Sequence, residues 1–219
     1  MLKSKKTILS NIYKSLYAAF GKQHWWPGKT KFEVIVGAIL TQNTNWSNVE
    51  RAINNLRKAK LLTISSLSDI PHKKLAVLIR PAGYFNVKAV RLKNFVDFLY
   101  LEYKGSLKKM ESESLDVLRE RLLSVNGIGP ETADSILLYA FNKPIFVVDA
   151  YTKRIFSRHK VINKNDDYKK VQDIFMSNLS HDVKIFNEYH ALVVRLAKEH
   201  CKTKPSCENC PLTGLERYL

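Results

Sequence analysis

No apolar run in the sequence approaches the roughly 20 residues that cross a bilayer, so a membrane-spanning helix is not expected. The start, Met1-Leu2-Lys3-Ser4-Lys5-Lys6, is basic, but no uninterrupted apolar stretch or small-residue cleavage site follows it, and no secretory leader is read. The expectation is a soluble chain, cytoplasmic and, if prokaryotic, nucleoid-associated, with no membrane partner. Cysteine is scarce, with three in 219 residues: Cys201, Cys207 and Cys210. An odd number clustered in so short a stretch is not a disulfide framework and suits a metal or iron–sulfur site, or the remnant of one. Acidic residues are in deficit: 20 Asp and Glu face 36 Lys and Arg, for a formal net charge of +16. Such an excess suits a polyanion, through phosphate neutralisation and counterion release. A solvated basic surface accounts for it equally well. The charges are spread along the chain, which points to a folded basic face rather than a disordered arm.

Low-complexity linkers and strict internal repeats are also missing, and strand-like alternation is scarce. The β-branched run Ile145-Phe146-Val147-Val148 is too short to carry a sheet. What the chain does contain is helical periodicity. Phe32, Ile35, Val36, Ile39 and Leu40 form one apolar stripe, and the pattern returns at Val49, Ala52, Ile53 and Leu56, at Leu92, Phe95, Val96 and Leu99, and at Ala133, Ile136, Leu137 and Ala140. Glycine and proline fall between these segments, at Pro27-Gly28, Pro71, Pro81 with Gly83, Gly105, Gly127 to Pro130, and Pro144. The reading is an all-α protein of compact helical lobes, long enough for one sizeable core or two small ones.

The most informative segment runs from Leu122 to Asp134. A helix carrying Leu115, Leu118 and Leu122 ends there, Gly127-Ile128-Gly129 turns the chain, and a second helix begins with Pro130 in its first turn, where a missing N–H costs least. The two glycines permit positive φ and a close approach of backbone to ligand. Ile128 can plug between the helices, leaving N–H groups of the turn, with Thr132 just beyond, to face a phosphate. A bare Gly-x-Gly would be an ordinary helix–helix turn, but the flanking Leu, Val, Thr132 and Ala133 make the pattern far more specific.

This segment resembles the helix-hairpin-helix of the endonuclease III superfamily of DNA glycosylases, and the resemblance extends over most of the chain. Leu40-Thr41-Gln42-Asn43-Thr44 looks like the family's early helix end, whose glutamine helps fill the gap left by a flipped base. Val147-Val148-Asp149 followed by a helix resembles the catalytic aspartate loop. Cys201 to Cys210, followed by Pro211-Leu212, resembles the C-terminal iron–sulfur loop. The resemblance implies a two-lobed fold, with residues 23–142 forming a helical barrel that includes the hairpin. Residues 1–22 and 143–219 would form a second lobe with the aspartate and the cysteine loop. It further implies a monomer acting on double-stranded DNA that contains a damaged base, which crosses a cleft between the lobes.

Base excision needs the nucleotide out of the stack, and positive charge then develops on the sugar as the glycosidic bond breaks. A carboxylate near the anomeric carbon stabilises that charge and orients or deprotonates water. Asp149 is the candidate, and its place before Ala150 also makes it the N-cap of the following helix. The family members that also cut the strand carry a lysine two residues after the second hairpin glycine. Here that residue is Glu131, which has no amine for a Schiff base, so the expectation is a monofunctional glycosylase. Trp26 and Trp46, with Pro27 beside them, fall where the 3-methyladenine glycosylases of the endonuclease III type place aromatics around the base. Large aromatics suit an alkylated, cationic purine, whereas Trp25 reads as core. Lys153 and Arg154, one turn after Asp149, are candidate phosphate contacts or a solvated helix face.

The family cluster has four cysteines, and the position of the fourth is Glu216 here. A [4Fe-4S] cluster takes four thiolates. The options are therefore a cluster with an incomplete ligand set, completed by a carboxylate, hydroxide or the imidazole of His200 or His190, a zinc ion on three Cys and one His, or a lost site. The excision chemistry needs no cofactor. Three other functions stay open: a bifunctional glycosylase and lyase for oxidised pyrimidines, a mismatch glycosylase, and a helix-hairpin-helix module that binds DNA without chemistry.

Overall fold

The computed structural model describes residues 4–25 and 28–214, so Trp26, Pro27 and Glu216 lie outside the described residues. It is helical, with no strand among the described residues, and the all-α expectation is met. The chain separates into two compact units, one of Met1–Trp25 with Pro144–Leu219 and the other of Trp26–Lys143.

In the continuous unit the central helix is α2, Lys31–Leu40, flanked by α3, Trp46–Lys58, and α6, Phe85–Tyr103. The short helices α4, Ile64–Asp69, and α5, His72–Leu78, pack near α6. The chain continues through α7, Leu107–Glu111, to α8, Leu115–Ser124. The hairpin turn then leads into α9, Pro130–Ser135, which runs on as a single π-helical turn, Ile136–Ala140. Sequence periodicity predicted one apolar stripe on α2, but every residue from Phe32 to Leu40 is buried, Glu33 included. The Glu33 carboxylate can be buried because Arg57 of α3 donates to it at 2.8 Å, and a buried charge is tolerated when paired. The C-terminus of α2 is also closed by a side chain. Lys88, 1% exposed, donates to the carbonyls of Leu40 at 2.8 Å and Ala82 at 2.7 Å. Burial and the neighbouring Arg91 charge lower its pKa to about 8.

The discontinuous unit joins α1, Lys5–Phe20, to α10, Ala150–Arg158, α11, Tyr168–Asn178, and α12, Val183–Glu199. α1 is capped by Ser4 and buries Ile8, Leu9, Ile12 and Leu16 against α11 and α12. The core of this unit is aromatic. Phe146 stacks on Phe175 at 3.9 Å between ring centroids, and Phe156, Phe186 and Tyr189 meet them edge-on. Edge-to-face and offset pairs of this kind add about 0.5–1.5 kcal/mol each beyond the area they bury.

The run Ile145–Val148 is fully buried and forms no helix, yet it pairs with no strand among the described residues. Side chains of α11 satisfy its backbone instead. Gln172 Nε2 donates to Phe146 O at 2.7 Å, Val148 N donates to the Tyr168 hydroxyl at 3.3 Å, and Phe146 N points at Met176 Sδ at 3.4 Å. Such pairing is what a buried non-helical backbone requires, and it fixes the residue that comes next, Asp149.

Candidate active site

Asp149 is the N-cap of α10. Its Oδ1 accepts from Thr152 N at 2.6 Å and from Thr152 Oγ1 at 2.8 Å. Its Oδ2 faces His190 Nε2 of α12 at 3.4 Å, so the sequence candidate for a metal-binding imidazole sits against the carboxylate. Burial of Asp149 pushes its pKa up, but the His190 imidazole facing Oδ2 and the two bonds from Thr152 outweigh it and hold the carboxyl below its ordinary value. Trp25 is half-buried and meets the His190 ring edge-on at 6.4 Å, while the Lys198 ammonium lies 5.9 Å from the Trp25 ring centroid. The expectation of a core role for Trp25 left out this neighbourhood. Sequence reasoning named His190 only as a possible metal ligand and missed its pairing with Asp149, which stands 41 positions earlier in the chain (190 − 149) and leaves no local pattern.

The hairpin lies in the other unit. Gly127 has φ +94°, and a Cβ there would fall 2.3 Å from Arg91 Cγ, so both the backbone and the space require glycine. Gly129 differs: its φ is −92°, and an added Cβ would meet nothing within 4 Å. Of the two glycines, both of which permit positive φ, only the first adopts it. Ile128 is buried as a plug, and its N–H is taken by Val125 O at 3.0 Å, which removes it from the donors a phosphate would use. Thr132, in the first turn of α9, is also buried.

Gln42 is tied to this turn. Its Nε2 donates to Gly127 O at 3.0 Å and to Thr132 Oγ1 at 2.9 Å, and its Oε1 accepts from Arg91 Nη1. The end of α2, the hairpin and α6 are thus cross-linked through one amide. Arg119 of α8 forms a bidentate pair with Asp134 of α9, at 2.7 and 3.2 Å. Glu131 is exposed in the first turn of α9, and Trp46 is half-buried at the start of α3.

The remaining site candidates lie on α10 and in the cysteine loop. Lys153 Nζ donates to Asp166 O at 2.7 Å and Arg154 Nε to Cys201 O at 2.8 Å, so both bind carbonyls of their own unit. Arg158, one turn further on, donates to Lys202 O at 2.6 Å and Thr203 O at 2.8 Å and lies 3.2 Å from Cys201 Sγ. Cys201 is buried, Cys207 exposed and Cys210 between the two. Among the described residues no three His, Cys, Asp or Glu side chains are grouped to hold a metal ion. Instead the three cysteines and His200 line a cavity of about 370 Å³. Burial there raises the Cys210 thiol, and the nearby Cys207 and Cys201 thiols add to the rise.

The family model for HhH-GPD superfamily base excision DNA repair proteins, named for the helix-hairpin-helix, matches residues 36–181. A Methanocaldococcus jannaschii protein described as a DNA repair glycosylase is 50% identical over 97% of each chain. Endonuclease III of Sulfolobus acidocaldarius is 28% identical over 87% of this chain and 84% of its own. Among solved structures, the H. pylori 3-methyladenine DNA glycosylase bound to 1,N6-ethenoadenine aligns with a TM-score of 0.76 and 29% identity, covering 90% of this chain and 98% of that one. An endonuclease III–DNA complex aligns at 0.84 with 23% identity, over 100% and 97% of the two chains, and speaks to the fold alone. The hairpin, the capped aspartate and these matches agree: the chain belongs to the HhH-GPD superfamily of base excision DNA repair proteins and is a DNA glycosylase.

Proposed function

We propose that the protein is a monofunctional glycosylase that removes an alkylated, 3-methyladenine-like base from duplex DNA and leaves the abasic strand intact. The observation that carries this reading is Glu131, exposed in the first turn after the hairpin, where a lyase needs an amine. A carboxylate cannot form an imine with the sugar, so water is the nucleophile. Asp149, held charged, orients or deprotonates that water and stabilises the oxocarbenium-like sugar. Backbone amides of the turn and of the first turn of α9 hold a phosphate, and the space above Gly129 admits it. Lys153 and Arg154 approach the backbone only with donors their carbonyl partners leave over. The resemblance assigns the base pocket to Trp46 of α3 together with Trp26 and Pro27. The likeness to the H. pylori enzyme, whose structure holds an etheno-adenine, supports an alkylated purine, a cationic ring of which stacks well on indole and leaves readily.

The test uses end-labelled duplex methylated at purines beside a thymine-glycol duplex, each resolved with and without alkali. Nicks in methylated DNA that appear only after alkali are expected. Nicks in the oxidised duplex without alkali overturn the reading. Glu131→Lys should gain borohydride-trappable imine; no gain means that Glu131 does not stand at the lyase position.

For the loop, we propose that the thiolates of Cys201, Cys207 and Cys210 hold a [4Fe-4S] cluster, with His200 facing the same space. The thiols surround a volume rather than converge on a point, which suits a polynuclear core better than one zinc ion. When bound, the group orders the loop and takes no part in excision. Protein prepared without oxygen is expected to be brown and to contain iron and inorganic sulfide. A colourless, iron-free preparation excludes the cluster.

A further inference from the structure

We infer that His190 is a positioning residue that fixes Asp149 Oδ2 and keeps the carboxylate charged during excision. The inference rests on the proposed role of Asp149 and concerns how that role is sustained. The two oxygens of Asp149 are treated differently. Oδ1 is fully engaged by the N–H and hydroxyl of Thr152, at 2.6 and 2.8 Å. Oδ2 is therefore the oxygen free to meet water or the sugar, and the side chain facing it is His190, at 3.4 Å. His190 is itself held in place: it is 6% exposed on α12, and Trp25 closes one side of its ring edge-on.

The other polar groups near this place are directed elsewhere. On α10, Lys153 binds Asp166 O and Arg154 binds Cys201 O. On α11, the Tyr168 hydroxyl takes Val148 N. On α12, the Tyr189 hydroxyl donates to Leu9 O, Glu188 accepts from Gln23 N, and Lys198 lies over Trp25. The ionisable side chain that faces the Asp149 carboxylate is His190.

Two opposing effects follow for a buried carboxylate. Burial favours the neutral acid, which can neither stabilise a cationic sugar nor take a proton from water, while a cation within about 4–6 Å favours the anion. Here the His190 imidazole and the hydrogen bonds prevail over burial. Without His190, burial is opposed by Thr152 alone, so the carboxyl should protonate at a higher pH. The acid limb of the excision rate then moves toward neutrality, and rate is lost first at low pH. A residue that only fills space would lower the rate equally at every pH.

The experiment is the single-turnover excision rate of wild type, His190→Gln and His190→Leu against pH, with duplex affinity measured in parallel. The expected result is an acid limb shifted upward by about 1–3 pH units in His190→Leu, less in His190→Gln, which keeps a donor toward Oδ2, with affinity retained in both. A folded His190→Gln whose profile superimposes on wild type overturns the inference. Should neither variant fold, carboxyl-carbon NMR of the wild-type protein decides: an Asp149 titration above the ordinary aspartate value overturns it, and one below supports it. Asp149→Asn separates the two levels. Full excision by that variant overturns both the functional reading and this inference, whereas an inactive Asp149→Asn beside an unshifted His190 variant overturns this inference alone.

Discussion

Asp149→Asn is expected to lower base excision by about 10²–10⁴-fold, the usual weight of a positioned general base, while duplex affinity stays within a few-fold of wild type. The fold should survive, because Asn is as good an N-cap as Asp and its amide oxygen can still accept from Thr152 N, now 2.6 Å from Oδ1. What disappears is the negative charge that the proposed mechanism sets against the sugar. The same charge ties stability to pH. The folded-state pKa of Asp149 lies below the ordinary value, so its contribution to stability is complete above the ordinary carboxylate pKa. It is lost as pH falls through the depressed folded-state value. The Asn variant should therefore lose less stability than wild type on acidification. Single-turnover excision and affinity for an uncleavable abasic-analogue duplex are the measurements. Excision within tenfold of wild type would remove Asp149 from the mechanism.

Arg119→Met is expected to cause the largest loss of stability, about 3–5 kcal/mol. Asp134 is completely buried, and Arg119 is its bidentate partner across the hairpin, with both oxygens within 3.2 Å. Removing the guanidinium takes the bidentate partner from a fully buried carboxylate, and that penalty exceeds the net worth of the pair. In a chain of this size the melting temperature should fall by roughly 10 °C. Affinity for duplex DNA should fall with it, because the pair joins the two helices that shape the turn. The double variant Arg119→Met with Asp134→Leu should recover part of the loss, since two apolar side chains replace a buried ion pair far better than one does. A single-variant loss under about 1 kcal/mol would show that Asp134 is satisfied without Arg119.

How much of this was legible in the sequence depends on how far apart the interacting residues stand. The helical class and the hairpin were legible because their signals are local: apolar spacing, a Gly-x-Gly, a proline in a first turn. The start of α10 was equally plain, with Asp149 three residues before the amide it caps. Long-range pairing was not legible. The apolar stripe on α2 was a true signal, but the burial of its opposite face depends on Arg57 meeting Glu33, which periodicity cannot report. The run Ile145–Val148 had the composition of a strand, yet its hydrogen bonds come from Gln172 and Tyr168 on a helix some 20 or more positions later. Histidine near cysteines reads as a ligand, and only the fold separates His200, which lines the cysteine cavity, from His190, which faces Asp149. Gln42 carried a familial signature. Its three bonds to Gly127, Thr132 and Arg91 are a property of this fold that no single segment announces.

Those three bonds, with the Lys88 ammonium on Leu40 O and Ala82 O, have a consequence for how tightly DNA can be held. Immobilising a rotamer-rich side chain at an interface costs about 0.5–1.5 kcal/mol. Gln42, Arg91 and Lys88 are already held by hydrogen bonds within the protein, as is Arg119 by Asp134. Their loss of freedom is therefore incurred when the chain folds, not when a duplex arrives. If the hairpin and the end of α2 meet the DNA backbone as proposed, they do so as a preset template, and the contacts that form there translate into affinity with little subtracted for ordering.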